Sequence, residues 1–329
     1  VAGITDSLPG NNLMIDLRLA LMEPTDLRGY PFRNPDTNQM EWSPPVDLPT
    51  MEQAELYDTI VLFLDELNSA PPSVQAAYQL ILNGRIGQYE MPSNVRIVAA
   101  GNRETDRGVT FRMPAPLANR FRHINMEVNF EDWQQWAVNN NIHSEVVGYL
   151  SYAKQDLFDF DPKTSSQAFA TPRSWSYVSE ILNVPGFAEA DRKEQLVELA
   201  GAIGEGMAIK FNEHRKIASD LPNPTDILNG KVKELNSKVA KEISAKYSLV
   251  VGLAYEINEA YKEAGSVDKD MGVMLNHMIR FAFNNFEPEM VIFSLKTLMK
   301  DYKIVFNFRK VLDKDVQSTF NDKYLKYIV

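Results

Sequence analysis

The sequence predicts an α/β protein in which a parallel sheet with flanking helices precedes a long helical region. A continuous apolar run at 60–64 and a mainly apolar run at 95–100 are each followed by polar residues, which is typical of buried parallel strands. Beyond about residue 130, apolar residues recur three or four positions apart, as they do in amphipathic helices. These two patterns divide the chain into an α/β core and a helical part.

The start of the chain predicts the end of a helix, a turn, a strand and a long insertion. Residues 1–8 fit the tail of a helix, and residues 9–12 form a dense cluster of turn-forming residues. The apolar run 13–19 then fits a strand. The segment 23–49 is rich in proline, aspartate, asparagine and glycine, and loops of this length in compact domains are usually functional.

The middle of the chain continues the alternation of helices and strands. A polar cap followed by two prolines predicts that a helix begins near Pro72. In chain order we expect a helix over 50–58, a strand over 60–64, a helix from 72 to about 83, a hairpin over 85–90, a strand over 95–100, a short helix over 116–121 and a strand over 121–128.

The remainder of the chain predicts only helices. Apolar residues recur at helical spacing around Trp133 and Trp175, and a longer stripe runs from Val232 to Tyr261. Lysine and glutamate fill the other face of that stripe, as on a solvated helix flank. The turn-rich segment 221–225 separates the two groups. We expect an α/β core over 1–130 with an insertion at about 23–49, a helical domain over 131–220 and a helical C-terminal extension over 221–329.

The composition excludes several classes of function. Because the chain has no cysteine, it has no thiol catalysis, disulfide or cysteine-ligated zinc, and a cytoplasmic location is expected. Its four histidines are scattered without metal-ligand spacing, so each is interpreted as a surface or core residue. The net charge of −10 disfavours sequence-blind binding to duplex phosphates. No apolar stretch reaches the ~18 to 20 residues of a membrane span.

Two acidic residues, Asp65 and Glu66, directly follow the apolar run 60–64. Ligands of open α/β sheets bind just beyond the carboxyl ends of the strands, so both acids lie where a ligand is expected. Asp65 would hold Mg²⁺ through its coordinated water, and Glu66 would polarise the water that attacks a terminal phosphate. Apolar runs that end in Asp-Glu also occur by chance, so this motif alone leaves nucleotide hydrolysis and coincidence equally open.

The order of further motifs is more specific. Four motifs follow one another along the chain: a strand with Asp-Glu, a strand that ends in asparagine, an arginine before a strand and a Pro-Arg at a helix start. This order is that of the functional groups in AAA+ ATPases, and the sequence around the motifs resembles the MoxR branch of that superfamily. The stretches that carry the resemblance are Leu64 to Asn68, Val98 to Arg103, Pro114 to Phe121 and Thr171 to Trp175. The resemblance covers nearly all of the chain, is strongest over 60–122 and is loosest over the last third.

The resemblance implies an AAA+ core with a parallel sheet, followed by a helical lid over 131–220. In that family, a magnesium-associated acid and a catalytic base follow one strand, and a first sensor follows the next. An arginine finger reaches the nucleotide of a neighbouring subunit, and a second sensor lies on the lid. The matching residues are Asp65, Glu66, Asn102, Arg120 and Arg173, in that order of roles. Of these, Asp65, Asn102 and Arg173 would contact the nucleotide or its metal ion.

Each of these roles has a structural alternative. Arg120 could form a salt bridge at the entrance of a strand, and Asn102 could cap a turn. Arg173 follows a proline at a helix start, which is also a common capping context. Three nearby arginines compete for the finger role: Arg103, Arg107 and Arg112.

The resemblance implies an ATP-hydrolysing motor or chaperone-like remodelling enzyme that uses ATP and Mg²⁺ and acts on a protein complex. An arginine supplied in trans makes activity depend on assembly, so a ring, most often a hexamer, is expected. Relatives of this type often act with a partner that carries a von Willebrand factor A domain. The aromatic part of the insertion, Tyr30 to Trp42, is where substrate or partner contact is expected, unless it forms a hairpin packed on its own domain.

A non-hydrolysing AAA+-derived scaffold or regulatory subunit is the alternative from a different functional class. Such a protein would keep the ring-forming surfaces without turnover. A nucleic-acid motor is disfavoured by the net charge of −10 and by the lack of a basic module with interleaved aromatic residues.

The sequence departs from the family at one essential point. It contains no Gly-x-x-x-x-Gly-Lys-Ser/Thr loop to hold the phosphates. In an AAA+ domain this loop and the first strand would lie before residue 1, so residues 1–8 would be the end of the helix that follows the loop. We expect either that the loop lies outside these 329 residues or that it has been lost. The intact hydrolytic residues and the start on Val1 favour the first explanation, and residues 1–329 alone are expected to bind ATP poorly and to be inactive.

Overall fold

The fold is a mixed α/β arrangement with one three-stranded parallel sheet and many helices. The computed structural model describes residues 7–43, 45–102, 111–160, 167–237, 239–304 and 306–324. The chain divides into two units, Val1–Asn125 and Met126–Val329, and each unit has its own apolar core.

The first unit alternates strands and short helices along the chain. Its elements are β1 (Asn12–Arg18), α1 (Pro24–Arg28), β2 (Tyr30–Arg33), β3 (Met40–Ser43), α2 (Met51–Leu56), β4 (Thr59–Asp65), α3 (Pro72–Ile81), β5 (Arg85–Ile86), β6 (Tyr89–Glu90), β7 (Val95–Ala99) and α4 (Ala115–Ala118). These bounds confirm the predicted strands at 13–19, 60–64 and 95–100, and the hairpin at 85–90.

The parallel sheet has the order β1-β4-β7, with Ile15 opposite Leu62 and Leu62 opposite Ile97. The central strand β4 is buried at five consecutive positions, 60–64. A strand covered on both faces requires such a continuous apolar run, which is why the sequence identified it. Helix α3 packs on the same core through Val74, Tyr78 and Ile81. The sheet therefore fixes the carboxyl ends of β4 and β7 side by side.

The insertion contains an antiparallel hairpin formed by β2 and β3, with Tyr30 opposite Ser43. Tyr30 and Met40 are each 61% exposed, so much of its apolar surface faces solvent. Trp42 of β3 is contacted by Arg28, the last residue of α1, whose guanidinium lies 4.1 Å from the centre of the Trp42 ring.

The predicted strand over 121–128 is wrong, because residues 122–129 have no regular secondary structure. Ile124 and Met126 are 71% and 83% exposed, although they alternate with polar residues as in a strand. A strand forms only when a neighbour satisfies its backbone groups, and β7 pairs only with β4 among the described residues. The helix end expected over 1–8 lies outside the described residues at 1–6, and residues 7–8 form a turn and a bend.

The described residues of the second unit form helices and no strand. The α-helices are α5 (Phe130–Asn139), α6 (Ser144–Tyr152), α7 (Pro172–Leu182), α8 (Arg192–Ile203), α9 (Glu205–Ala218), α10 (Pro224–Leu228), α11 (Ile243–Ala264), α12 (Lys269–Asn285), α13 (Pro288–Lys296), α14 (Phe308–Val311) and α15 (Lys314–Lys323). Within the parts of the chain that the structure describes, no helix combines the length and the apolar character needed to cross a membrane.

The helix predicted from Val232 to Tyr261 begins only at Ile243. The backbone N–H of Leu235 donates to the Asn285 side chain at 2.7 Å, and that of Val239 donates to the Asn236 side chain at 2.8 Å. Side chains thus satisfy backbone groups that a helix would have satisfied. Val232 and Leu235 still pack on the core, so the apolar stripe continues without the helix.

Two apolar cores support the second unit. One core centres on an aromatic cluster, which we define as Tyr149, Trp175 and Phe211, whose ring centres are 5.3 to 5.6 Å apart. The other core is formed mainly by α11, α12 and α13. Helix α11 contributes Val251 to the first core and Val250 to the second, so it is buried on two sides.

Candidate functional site

The candidate site lies where β4 and β7 end at the same edge of the sheet. Asp65 is the last residue of β4, and Glu66 follows it directly. The Ala100 N–H donates to the Leu64 carbonyl at 2.9 Å, and the Leu67 N–H donates to the Ala100 carbonyl at 2.9 Å. These bonds continue the pairing of β4 and β7 beyond the ends of both strands. The two acids and the polar segment after β7 therefore share one edge of the sheet.

The two acidic residues differ in their backbone and in their exposure. Asp65 is half-buried, and its Oδ1 accepts a hydrogen bond from the Glu66 N–H at 3.0 Å. Glu66 is exposed and has a φ of +53°, which is uncommon for a residue other than glycine. Within the described parts of the chain, neither carboxylate has a Lys or Arg partner. Both are therefore available to a metal ion or to water.

Asn102 is exposed at the same edge, and its side chain makes no hydrogen bond with any described residue. Its backbone, in contrast, is held on both sides by Asn68. The Asn102 N–H donates to Asn68 Oδ1 at 3.1 Å, and Asn68 Nδ2 donates to the Asn102 carbonyl. Asn102 thus combines a fixed backbone with a free amide, which suits a residue that contacts a ligand.

Arg120 belongs to the same unit and is also exposed. It follows α4, and its Nη1 donates to the Pro116 carbonyl at 2.7 Å, which satisfies a group near the helix end. The salt bridge considered as an alternative does not occur among the described residues. Of the competing arginines, Arg112 is exposed, whereas Arg103 and Arg107 lie outside the described residues.

Arg173 lies in the second unit, in the first turn of α7. The Ser174 N–H donates to Thr171 Oγ1 at 3.0 Å, and the Thr171 N–H donates to Ser174 Oγ at 2.7 Å, which caps the helix. Ser174 and Trp175 are buried, whereas Arg173 is exposed. Since the cap is formed by Thr171 and Ser174, the Arg173 side chain is not needed for it.

The acids at the sheet edge fit a magnesium ion that is bound together with phosphates. Such an ion takes one or two carboxylates from the protein and completes its shell with phosphate oxygens and water. Among the residues that the structure describes, no group of three or more His, Cys, Asp or Glu side chains could hold a metal ion by itself. Asp65 and Glu66 supply two carboxylates, which lies within the number that a phosphate-bound magnesium ion takes from a protein.

A cavity of about 460 Å³ lies within the second unit, and no motif in the sequence indicates it. Ser248 lines this cavity, and its Oγ lies 2.8 Å from Nε2 of His214. A serine nucleophile needs a histidine base that a third group orients. Nδ1 of His214 has no hydrogen-bond partner in the described chain, and burial lowers the His214 pKa to about 4. This pair is a contact between α9 and α11 and lacks the orienting group of a hydrolase.

Sequence reasoning missed the part played by Asn68 at the sheet edge. Asn68 is 8% exposed, and its side chain forms hydrogen bonds with the Asn102 backbone, in the segment after β7. Its only sequence signal is an asparagine two positions after Asp65-Glu66, ahead of the prolines that start α3.

Comparisons with known proteins give little independent support. No protein-family model matches the chain, and no curated protein matches it. Among solved structures, one neighbour is the crystal structure of a "putative ATPase" from Cytophaga hutchinsonii, which is 11% identical. The match covers 94% of this chain and 74% of that chain, with a TM-score of 0.25. At so low a TM-score, the function proposed below rests on the site residues and not on this neighbour.

Proposed function

We propose that the protein is an ATP-hydrolysing AAA+ motor of the MoxR type, which acts as a ring and remodels a protein complex. The observation that supports this most directly is the sheet edge, where Asp65 ends β4, Glu66 follows it and Asn102 lies beyond the neighbouring parallel strand β7. Glu66 and Asn102 are exposed, and hydrogen bonds from Leu67 to Ala100 and between Asn68 and Asn102 join the segments after the two strands.

The proposed chemistry assigns a separate task to each residue at this edge. Bound Mg-ATP would supply the phosphoryl group and would neutralise part of its charge. Asp65 would hold a water of the metal shell, and Glu66 would orient the attacking water and accept its proton. The free Asn102 amide would contact that water or the terminal phosphate. Such positioning, together with charge stabilisation, is the main source of catalysis in phosphoryl transfer.

Two arginines complete the proposed site. Arg120 uses one of its guanidinium N–H groups on Pro116 and keeps the others available for the nucleotide of a neighbouring subunit. Arg173, on the capped start of α7, would read the nucleotide from the helical lid. A planar guanidinium can donate two parallel hydrogen bonds to phosphate oxygens, which suits both roles.

The sequence of residues 1–329 contains no phosphate loop to hold the phosphates. In a phosphate loop, backbone amides and a lysine hold the phosphates. The same proposal includes a ring, a cytoplasmic location, a protein substrate and a partner with a von Willebrand factor A domain. The exposed hairpin of β2 and β3 offers apolar surface for such a partner.

The second candidate function is a non-hydrolysing AAA+-derived scaffold. Such a protein would keep the ring-forming surfaces of the family without turnover. The two functions differ in one measurable property, which is ATP turnover by the full-length protein at a concentration where the ring forms.

The test of the proposed function compares Glu66→Gln with the wild-type full-length protein. The variant should bind Mg-ATP as the wild type does and should lose turnover, because the amide cannot accept the proton of the attacking water. Glu52→Gln is the matched control, since Glu52 is another exposed glutamate of the same unit. Turnover by Glu66→Gln at the wild-type rate would reject the assigned base, and a wild type without turnover would favour the scaffold.

A titration with fluorescent nucleotide addresses the phosphate loop separately. Residues 1–329 alone should bind Mg-ATP weakly, and a longer chain that contains the loop should bind it tightly. Tight, magnesium-dependent binding by residues 1–329 would show that the phosphates are held within them.

A further inference from the structure

We propose that Asn68 is a positioning residue, which sets the location of Asn102 relative to Asp65 and Glu66 and thereby sets the turnover rate. This inference rests on the proposed function for its kinetic consequence. The hydrogen bonds on which it is built are independent of that function.

The side chain of Asn68 acts on the Asn102 backbone as a neighbouring strand would. Its Oδ1 accepts from the Asn102 N–H at 3.1 Å, and its Nδ2 donates to the Asn102 carbonyl. One amide thus satisfies both backbone groups of a residue that has no strand partner among the described residues. The pairing of β4 with β7 ends at Leu64 and Ala99, so Asn68 extends that pairing by three residues along the segment after β7.

The backbone around Asn68 is itself tightly fixed. The preceding residue, Leu67, is 2% exposed, and its N–H donates to the Ala100 carbonyl at 2.9 Å. The carbonyl of Asn68 accepts from the Phe111 N–H at 2.6 Å. Asn68 therefore bonds with Asn102 and with Phe111, the two residues that border the segment 103–110.

Gly101 leaves the space that this arrangement needs. A Cβ atom at position 101 would lie 2.5 Å from Asn68 Oδ1, closer than real Cβ contacts allow. A side chain at 101 would therefore push the Asn68 amide away from Asn102. The clamp consists of Asn68 and the Gly101-Asn102 backbone, and a change at Asn68 or at Gly101 should break it.

Misplacement of a catalytic group by about 1 Å can reduce a rate about 100-fold, so loss of the clamp should reduce kcat. Asn68→Ala should lower kcat about 10- to 100-fold, while the KM for ATP and the affinity for nucleotide change little. The reason is that Asn68 contacts Asn102 and not the nucleotide. Gly101→Ala should reproduce the loss in kcat.

The double variant gives the strictest kinetic test. If Gly101→Ala acts by displacing the Asn68 amide, it should add little to the effect of Asn68→Ala, because the group it displaces is already gone. Additive losses in kcat would show that the two residues act independently and would overturn the clamp.

Gln75→Ala is the matched control for a purely structural effect. Gln75 is fully buried, lies in the neighbouring helix α3 and donates its amide to the Ala70 carbonyl at 2.7 Å. Its replacement also removes a buried amide-to-backbone bond, yet it leaves Asn102 untouched. Equal kcat losses in Gln75→Ala and Asn68→Ala would overturn the positioning role.

Amide hydrogen exchange at Asn102 separates this inference from the proposed function. The Asn102 N–H should exchange slowly in the wild type and fast in Asn68→Ala, with Gln75→Ala resembling the wild type. If the wild type has no ATPase activity, the proposed function fails and exchange alone decides the clamp. Fast exchange in the wild type would overturn it in either case.

Discussion

The two units place their polar side chains in opposite ways. At the sheet edge of the first unit, Glu66 and Asn102 are exposed on backbones that hydrogen bonds hold in place. In the second unit, Asp156 and His214 are 7% and 6% exposed, and they bond with the Tyr149 hydroxyl and with Ser248. The exposed groups of the first unit are accessible to a ligand, whereas the buried and bonded groups of the second unit join its helices.

The largest effect expected on the first unit is that of Arg120→Ala. Turnover in the assembled ring should fall by about 10³- to 10⁵-fold, because the transition-state charge loses its arginine. Nucleotide binding by the subunit should remain, since the proposed finger role places Arg120 at the nucleotide of the neighbouring subunit. The measurement is kcat together with nucleotide affinity at a concentration where the ring has formed.

Arg112→Ala is the control for this prediction, because Arg112 is another exposed arginine ahead of α4. If Arg112→Ala lost turnover while Arg120→Ala kept it, the finger role would belong to Arg112. The contrast between exposed polar groups in the first unit and buried ones in the second would be unaffected, but the assignment of the finger to Arg120 would be wrong.

In the second unit, the largest expected effect is a loss of stability in Trp175→Ala. Trp175 is fully buried in the aromatic cluster, and its Nε1 donates to the Asp156 carbonyl at 2.9 Å. The free energy of unfolding should fall by about 3–5 kcal/mol, since a large cavity forms and the Asp156 carbonyl loses its partner. Urea denaturation followed by circular dichroism measures this change.

Tyr177 is the matched comparison on the same helix, because it is 49% exposed. Tyr177→Ala should change the free energy of unfolding by less than about 0.5 kcal/mol. Similar losses in both variants would mean that the aromatic cluster does not hold the second unit together.

A smaller effect concerns the pH dependence of stability. Burial lowers the pKa of His214 to about 4, below its ordinary value of 6.5. The unfolded chain therefore binds a proton more readily than the folded chain between these values, and stability falls as the pH drops from 6.5 towards 4. Protonation of His214 should lower the free energy of unfolding by about 3 kcal/mol across that range.

His214→Asn should flatten this part of the pH profile relative to the wild type. The raised pKa of half-buried Asp301, about 6, affects both proteins equally, so the difference between their profiles isolates His214. His123→Asn is the control, because His123 is exposed. Parallel profiles for the wild type and His214→Asn would show that the imidazole is not buried in its neutral form.

The sequence predicted the elements whose signals are local. The buried strand β4 appears as a continuous apolar run, and α3 begins at its prolines, because burial and proline geometry act within a few residues. The strand expected over 121–128 failed because strand formation depends on a partner elsewhere in the chain.

The candidate site was only partly predictable for the same reason. Asp65, Glu66 and Asn102 follow recognisable strands, and parallel pairing then brings them to one edge. The contact between Asn68 and Asn102 joins positions 34 residues apart, and no periodicity or spacing in the sequence encodes it. The start of α11 at Ile243 was missed because the Asn285 and Asn236 side chains satisfy backbone groups in the segment before it.

The left-handed backbone of Glu66 has a consequence for selection experiments. At a φ of +53°, glycine or asparagine would be accommodated with less strain than glutamate. A library at this position that is screened only for folding should therefore enrich glycine and asparagine. The same library screened for turnover should return glutamate, so the two screens would separate stability from activity at a single codon.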